Sequence, residues 1–154
     1  MTDDDTRWVG YVRAEHRTGS IAALAGVFAT RGVNVDSMAT GDLHDDAGLV
    51  VVTFRAGERR ARLLMRTVER LPQVRSVLVR RAEDLGVRAA AVVTLPPGAA
   101  FRPPPQAAVR WSGDTAAGDP LLVEGPLVDV ELTVEAARAA GARADAAVIQ
   151  PPYA

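Results

Sequence analysis

The first half of the chain switches repeatedly between two spacings of apolar residues. Trp8 to Ala14 is short and rich in Val and Tyr, which predicts a strand. Ile21, Leu24, Ala25 and Phe28 follow at i, i+3, i+4 and i+7, one face of a helix. Thr18 or Ser20 can cap the start of that helix, and Gly32 sits where a glycine stop belongs. Val33 to Ala39 is a second strand, and Gly41 to Gly48, with Asp42, Asp45 and Asp46, reads as a polar turn. Leu49 to Arg55 is β-branched and nearly continuous in apolar residues, the mark of a central strand. Glu58 to Leu71 is a second helix with Ala61, Leu64, Met65 and Val68 on its apolar face, ended by Pro72. Val74 to Val79 is a fourth strand.

The order βαββαβ over residues 7 to 82 predicts an α+β, ferredoxin-like unit: a four-stranded antiparallel sheet with two helices on one face. Residues 87 to 150 repeat part of it. Val87 to Leu95 reads as a strand, Ala107 to Trp111 and Leu121 to Glu124 as short strands, Val128 to Ala140 as a helix closed by Gly141, and Ala144 to Gln150 as a last strand. Between the first two strands lies the proline segment 96–105, whose prolines remove donors and fix φ, so no regular helix fits there. The second half is therefore expected to be a smaller, degenerate ferredoxin-like unit.

Composition narrows the function. Hydrophobic residues make up 48% of the 154 positions and mean hydropathy is +0.05, enough for a core. The net charge of -1 lacks the basic balance of a nucleic-acid binder, so no nucleic-acid partner is expected. There is no lysine, which excludes Schiff-base chemistry, and no cysteine, which excludes disulfides and thiolate chemistry. No apolar run is long enough to span a membrane and the acidic N-terminus does not read as a signal peptide, so the expected location is the cytoplasm.

The candidate chemistry is concentrated between Glu15 and Met38. A glycine loop running into a helix leaves backbone N–H groups free at the helix N-terminus, where they can hold a carboxylate or phosphate. The amides of Gly19, Ser20 and Ile21 are the candidates; an ordinary capped helix start would show the same spacing. His16 is placed to meet a ligand there or to be an exposed loop histidine, and Asn34 either hydrogen-bonds a ligand or is a turn residue. His16 and His44 have no partners at metal-ligand spacing, and no metal site is expected. Arg59, Arg62, Arg66 and Arg70 share one face of the second helix, either a solvated surface or a grip for an acidic partner. No catalytic constellation is present in the sequence.

The first half resembles an ACT domain, a small regulatory module that binds amino acids. Within that superfamily it is most similar to the regulatory small subunit of acetolactate synthase, also called acetohydroxyacid synthase. The resemblance is carried by Gly19-Ser20-Ile21, by Gly26, Val27 and Phe28, and above all by Arg31-Gly32-Val33-Asn34-Val35-Asp36-Ser37-Met38, which is similar to the family's F-x-x-R-G-Y-N-I-E-S-L. It implies a homodimer pairing edge to edge, with valine, leucine or isoleucine bound between chains. Gly19, Ser20 and Ile21 would come from one chain and Asn34 from the other. It also implies a catalytic large subunit that carries thiamine diphosphate, magnesium and flavin, with no cofactor on this chain. Two departures stand out: His16 occupies a position where the family usually has asparagine, and the proline segment replaces the first helix of the second half. They leave room for a stand-alone oligomerisation or interaction module without a ligand.

Overall fold

The computed structural model describes residues 5–144 and 147–151. The chain divides into two compact units, Met1–Ala82 and Glu83–Ala154.

The first unit runs β1 (Arg7–Glu15), α1 (Ser20–Thr30), β2 (Val35–His44), β3 (Ala47–Arg55), α2 (Glu58–Glu69) and β4 (Val74–Arg81). The sheet order is β2-β3-β1-β4 and every pairing is antiparallel, the ferredoxin-like arrangement. β1 and β3 are central, in register from Arg7 opposite Arg55 to Glu15 opposite Ala47. Alternate residues of the two strands project onto the helix side. There Trp8, Val12, Val50, Val52 and Phe54 meet Leu24 and Phe28 of α1 and Ala61, Leu64, Met65 and Val68 of α2. Phe28 and Phe54 pack edge to face with ring centroids 5.3 Å apart. The Trp8 indole N–H donates to the Ala56 carbonyl at 2.8 Å, so this buried aromatic keeps its polar atom satisfied. β2 and β4 are the edges of this sheet, and β4 carries Arg75, Arg80 and Arg81.

Three local readings differ from expectation. The stretch 41–48 is mostly strand. β2 continues to His44, β3 starts at Ala47, and the loop shrinks to Asp45 and Asp46, at φ of 49° and 58°. Positive φ at both residues of a two-residue loop is what a tight hairpin requires, and aspartate tolerates it. Neither Thr18 nor Ser20 caps α1: Gly19 occupies the cap position, and the Ser20 hydroxyl turns back to donate to the Glu15 carbonyl at 2.8 Å. Finally, the buried stripe of α1 is Ser20, Leu24 and Phe28, while Ile21 is 43% exposed and Ala25 is also outside the core. The helix is rotated so that its i, i+4 row faces the sheet.

The second unit runs β5 (Arg88–Thr94), β6 (Arg110–Ser112), β7 (Leu121–Pro126), α3 (Leu127–Ala139), β8 (Arg143–Ala144) and β9 (Val148–Ile149), with a 3-10 turn at Thr115–Ala117. Its order, β6-β7-β5-β8 with β9 also on β5, repeats that of the first unit. It is a second ferredoxin-like half in which, among the described residues, no helix lies between β5 and β6. Of the strand expected at Ala144 to Gln150, residues 145 and 146 lie outside the described residues. Ala89, Ala91, Val93, Leu121 and Val123 are buried on the side of α3 with Val130, Val134 and Ala137. The chain after the proline segment crosses at Gly125, where a Cβ would lie 2.8 Å from the Ala108 carbonyl oxygen. No side chain other than hydrogen fits that approach.

Candidate functional site: a cleft at the start of the first helix

The loop His16–Gly19 carries the chain from the end of β1 to the start of α1. Gly19 adopts φ of 90°, a left-handed conformation that glycine takes without strain, and a Cβ added there would point into open space. The turn aims the first amides of α1 outward. Ser20 N–H donates to the Arg17 carbonyl at 3.3 Å, and Ala23 N–H to the Gly19 carbonyl at 2.9 Å. Among the described residues no backbone acceptor serves the amides of Gly19, Ile21 or Ala22. α1 has no acidic residue in its first turn. Its positive dipole end is thus not offset from within the helix.

Beside this turn is a cleft of about 330 Å³. Its walls include His16, Ser20 and Ile21 from the β1–α1 turn and Thr40, Asp42 and Leu43 from the β2–β3 hairpin, above Leu49 and Val50. Ile21 and Leu43, 43% and 60% exposed, give it an apolar side. Arg13 fixes the hairpin wall by donating to the Asp42 carbonyl at 3.0 Å and to its carboxylate. Arg75 donates to the Asp45 carbonyl at 2.6 Å, and the Asp46 carbonyl accepts from His16 N–H at 2.7 Å. Asp42 is already paired, so what the cleft offers is amide donors at one end and aliphatic surface along the side.

The sequence-predicted residues divide into two groups. His16, Ser20 and Ile21 line the cleft, and Gly19 shapes its entrance. Ser20 contributes differently from expectation: its amide and hydroxyl are both engaged and it is 6% exposed. Asn34 is exposed beyond the opposite end of α1. That helix of 11 residues is about 16 Å long, so one chain does not bring Asn34 to Gly19. Thr40, Asp42 and Leu43 were not foreseen. A single leucine inside an otherwise polar turn was the signal available for them. A larger groove of about 690 Å³ lies on the second sheet, against Val92, Leu122 and Val148. Those residues lie across the sheet from the helix-covered face, and among the described residues no helix residue lines the groove. Among the described residues no group of three or more acidic or histidine side chains could hold a metal ion, and no helix is long and apolar enough to cross a membrane.

Residues 11–73 match the family model of the ACT domain. Among curated proteins no sequence matches the chain. Among solved structures, the acetolactate synthase small subunit from Thermotoga maritima superimposes with a TM-score of 0.63 at 14% identity, covering 96% of this chain and 98% of that one. The ligand-free regulatory subunit of aspartate kinase from Thermus thermophilus gives 0.49 at 17% identity, over 91% and 95%. A homoserine dehydrogenase from Thiobacillus denitrificans gives 0.43 at 19% identity, and there the chain spans only 19% of the enzyme's length. Residues 11–73 are thus similar to the ACT domain, and the two ferredoxin-like halves together follow the fold of the Thermotoga small subunit.

Proposed function

We propose that this protein is a non-catalytic regulatory subunit. It binds a small amino acid, valine, leucine or isoleucine, at a homodimer interface and modulates an acetolactate synthase-type catalytic subunit. The observation that carries the reading is the position of β2. It is a sheet edge of 10 residues, with Asn34 just before its start and the cleft-lining residues Thr40, Asp42 and Leu43 towards its end. Two such edges paired antiparallel about a two-fold axis bring the start of each strand beside the end of the other. The partner subunit's Asn34 then approaches the cleft of the first chain. The effector's carboxylate sits on the amides at Gly19 and Ile21, and its side chain lies against Ile21 and Leu43. Binding that favours one dimer arrangement shifts the activity of whatever enzyme reads that arrangement. Cytoplasmic location follows from the same reading.

Isothermal titration with valine, leucine and isoleucine tests it. Binding is expected for at least one, and Gly19→Asp should abolish it by placing a carboxylate where the ligand's belongs. Silence across all the proteinogenic amino acids would overturn the effector site. His16, exposed at the cleft where the resemblance leads one to expect asparagine, favours a second reading: an ACT-fold oligomerisation module without a ligand. Assaying the host's acetolactate synthase large subunit with and without this chain separates the two.

A further inference from the structure

α2 buries Ala61, Leu64, Met65 and Val68. Arg59, Leu63, Arg66 and Arg70 fall at i, i+4, i+7 and i+11, a single stripe on the side turned away from the core. The helix's other arginines are engaged within the fold. Arg62 pairs with Glu58 at 2.9 Å. Arg60 donates to the Arg31 and Gly32 carbonyls, at 2.7 and 3.3 Å, and so closes the C-terminal end of α1. Arg59, Arg66 and Arg70 have no acidic partner among the described residues. The helix dipole accounts for Arg66 and Arg70, which lie at the last turn, but it opposes Arg59 in the first turn. Leu63 sits among these cations 46% exposed, facing a hollow of about 620 Å³ lined also by Arg59, Arg62, Arg66 and Glu58, the last of these engaged by Arg62 and Arg81.

We infer that this stripe is a docking surface for an acidic amphipathic helix of another protein. The partner lays carboxylates on Arg59, Arg66 and Arg70 and an aliphatic side chain on Leu63. Charge complementarity chooses this occupant. Guanidinium groups one and two turns apart match carboxylates repeated at helical spacing, and an apolar residue at their centre matches a buried leucine contact. A nucleic acid is a poorer match, because no aromatic side chain lies on the stripe for a base to stack on and the chain's net charge is -1. The inference goes beyond the effector site and does not depend on it.

The test is fluorescence anisotropy of the full-length protein with a labelled helical peptide bearing Glu at i, i+4, i+7 and i+11 beside a leucine stripe, with no amino acid effector present. The peptide should bind, and its affinity should fall about tenfold as salt rises from about 0.05 to about 0.3 M. Arg59→Glu with Arg66→Glu should abolish binding, and the corresponding glutamine pair, which is gentler on folding, should weaken it. Leu63→Ser should weaken binding while leaving its salt dependence unchanged. The inference is overturned if the peptide does not bind, if a lysine version binds as well, if the arginine substitutions have no effect, or if an oligonucleotide competes with equal affinity. Because the readout is peptide capture alone, failure here leaves the effector titration intact, and failure there leaves this one intact.

Discussion

At the scale of single residues, Gly19 combines two demands. Its φ of 90° is expensive for any residue with a Cβ, yet no atom lies within 4 Å of where that Cβ would be. Gly19→Ala should therefore cost about 1 kcal/mol, from backbone strain alone, in urea denaturation. Gly125 is the opposite case: its φ is unremarkable for an L residue and the obstacle is the Ala108 carbonyl 2.8 Å away. Gly125→Ala should cost more, about 2 to 3 kcal/mol, because backbone must move. Glu58 offers a pH prediction. Its hydrogen bond from Arg62, supported by that charge and by Arg81, holds its carboxyl below the ordinary glutamate range. A carboxyl depressed in the folded state stabilises above its unfolded pKa, and that contribution is lost as pH falls through the folded value. Glu58→Gln should lower Tm at neutral pH and leave it little changed at acid pH, where Glu58 is protonated in either state, so the acid side of a Tm-against-pH curve becomes flatter.

Among elements, the β2–β3 hairpin shows where sequence pattern succeeds and where it stops. β3 was legible because LVVVTF is buried on both faces and needs no partner to be recognised. The helices were legible too, since α2 has four apolar residues on one side and a proline beyond its end. The far half of β2 was not. Its residues are almost all exposed, so no alternation marks them, and only pairing with Leu49 and Val50 makes them a strand. The cap of α1 was misread for a related reason: serine and threonine are good caps in isolation, but here the left-handed Gly19 takes the position and Ser20 faces inward. The candidate cleft inherits this pattern. Its amide end was foreseen from Gly19, while its hairpin wall depended on long-range pairing. Because β2 is an edge, Ala39→Glu near its midpoint should weaken the proposed self-association, by placing like charges close to the two-fold axis of that dimer. Sedimentation should show the monomer fraction rising, with the circular dichroism spectrum unchanged.

For the whole molecule, the proposed interface site would tie effector to assembly by linkage. A ligand held between two chains binds the dimer better than the monomer, so it must also tighten the dimer by the same factor. Saturating effector should lower the dimer dissociation constant and stabilise the fold by about 2.7 kcal/mol at a hundredfold excess over Kd, read as a concentration-dependent rise in Tm. Gly19→Asp should remove that increment and leave the ligand-free association constant in place. The strand at the far side of the same sheet adds a limit to growth. If the β2 edges pair as proposed, the outer strands of the first unit's sheet are two copies of β4, each bearing Arg75, Arg80 and Arg81. Antiparallel pairing of two such strands would bring several arginines of one copy near those of the other, even though Arg81 already pairs with Glu58 and Arg75 donates to the Asp45 carbonyl. In the proposed dimer, then, the cationic character of the outer strand would disfavour adding a further sheet to the doubled one.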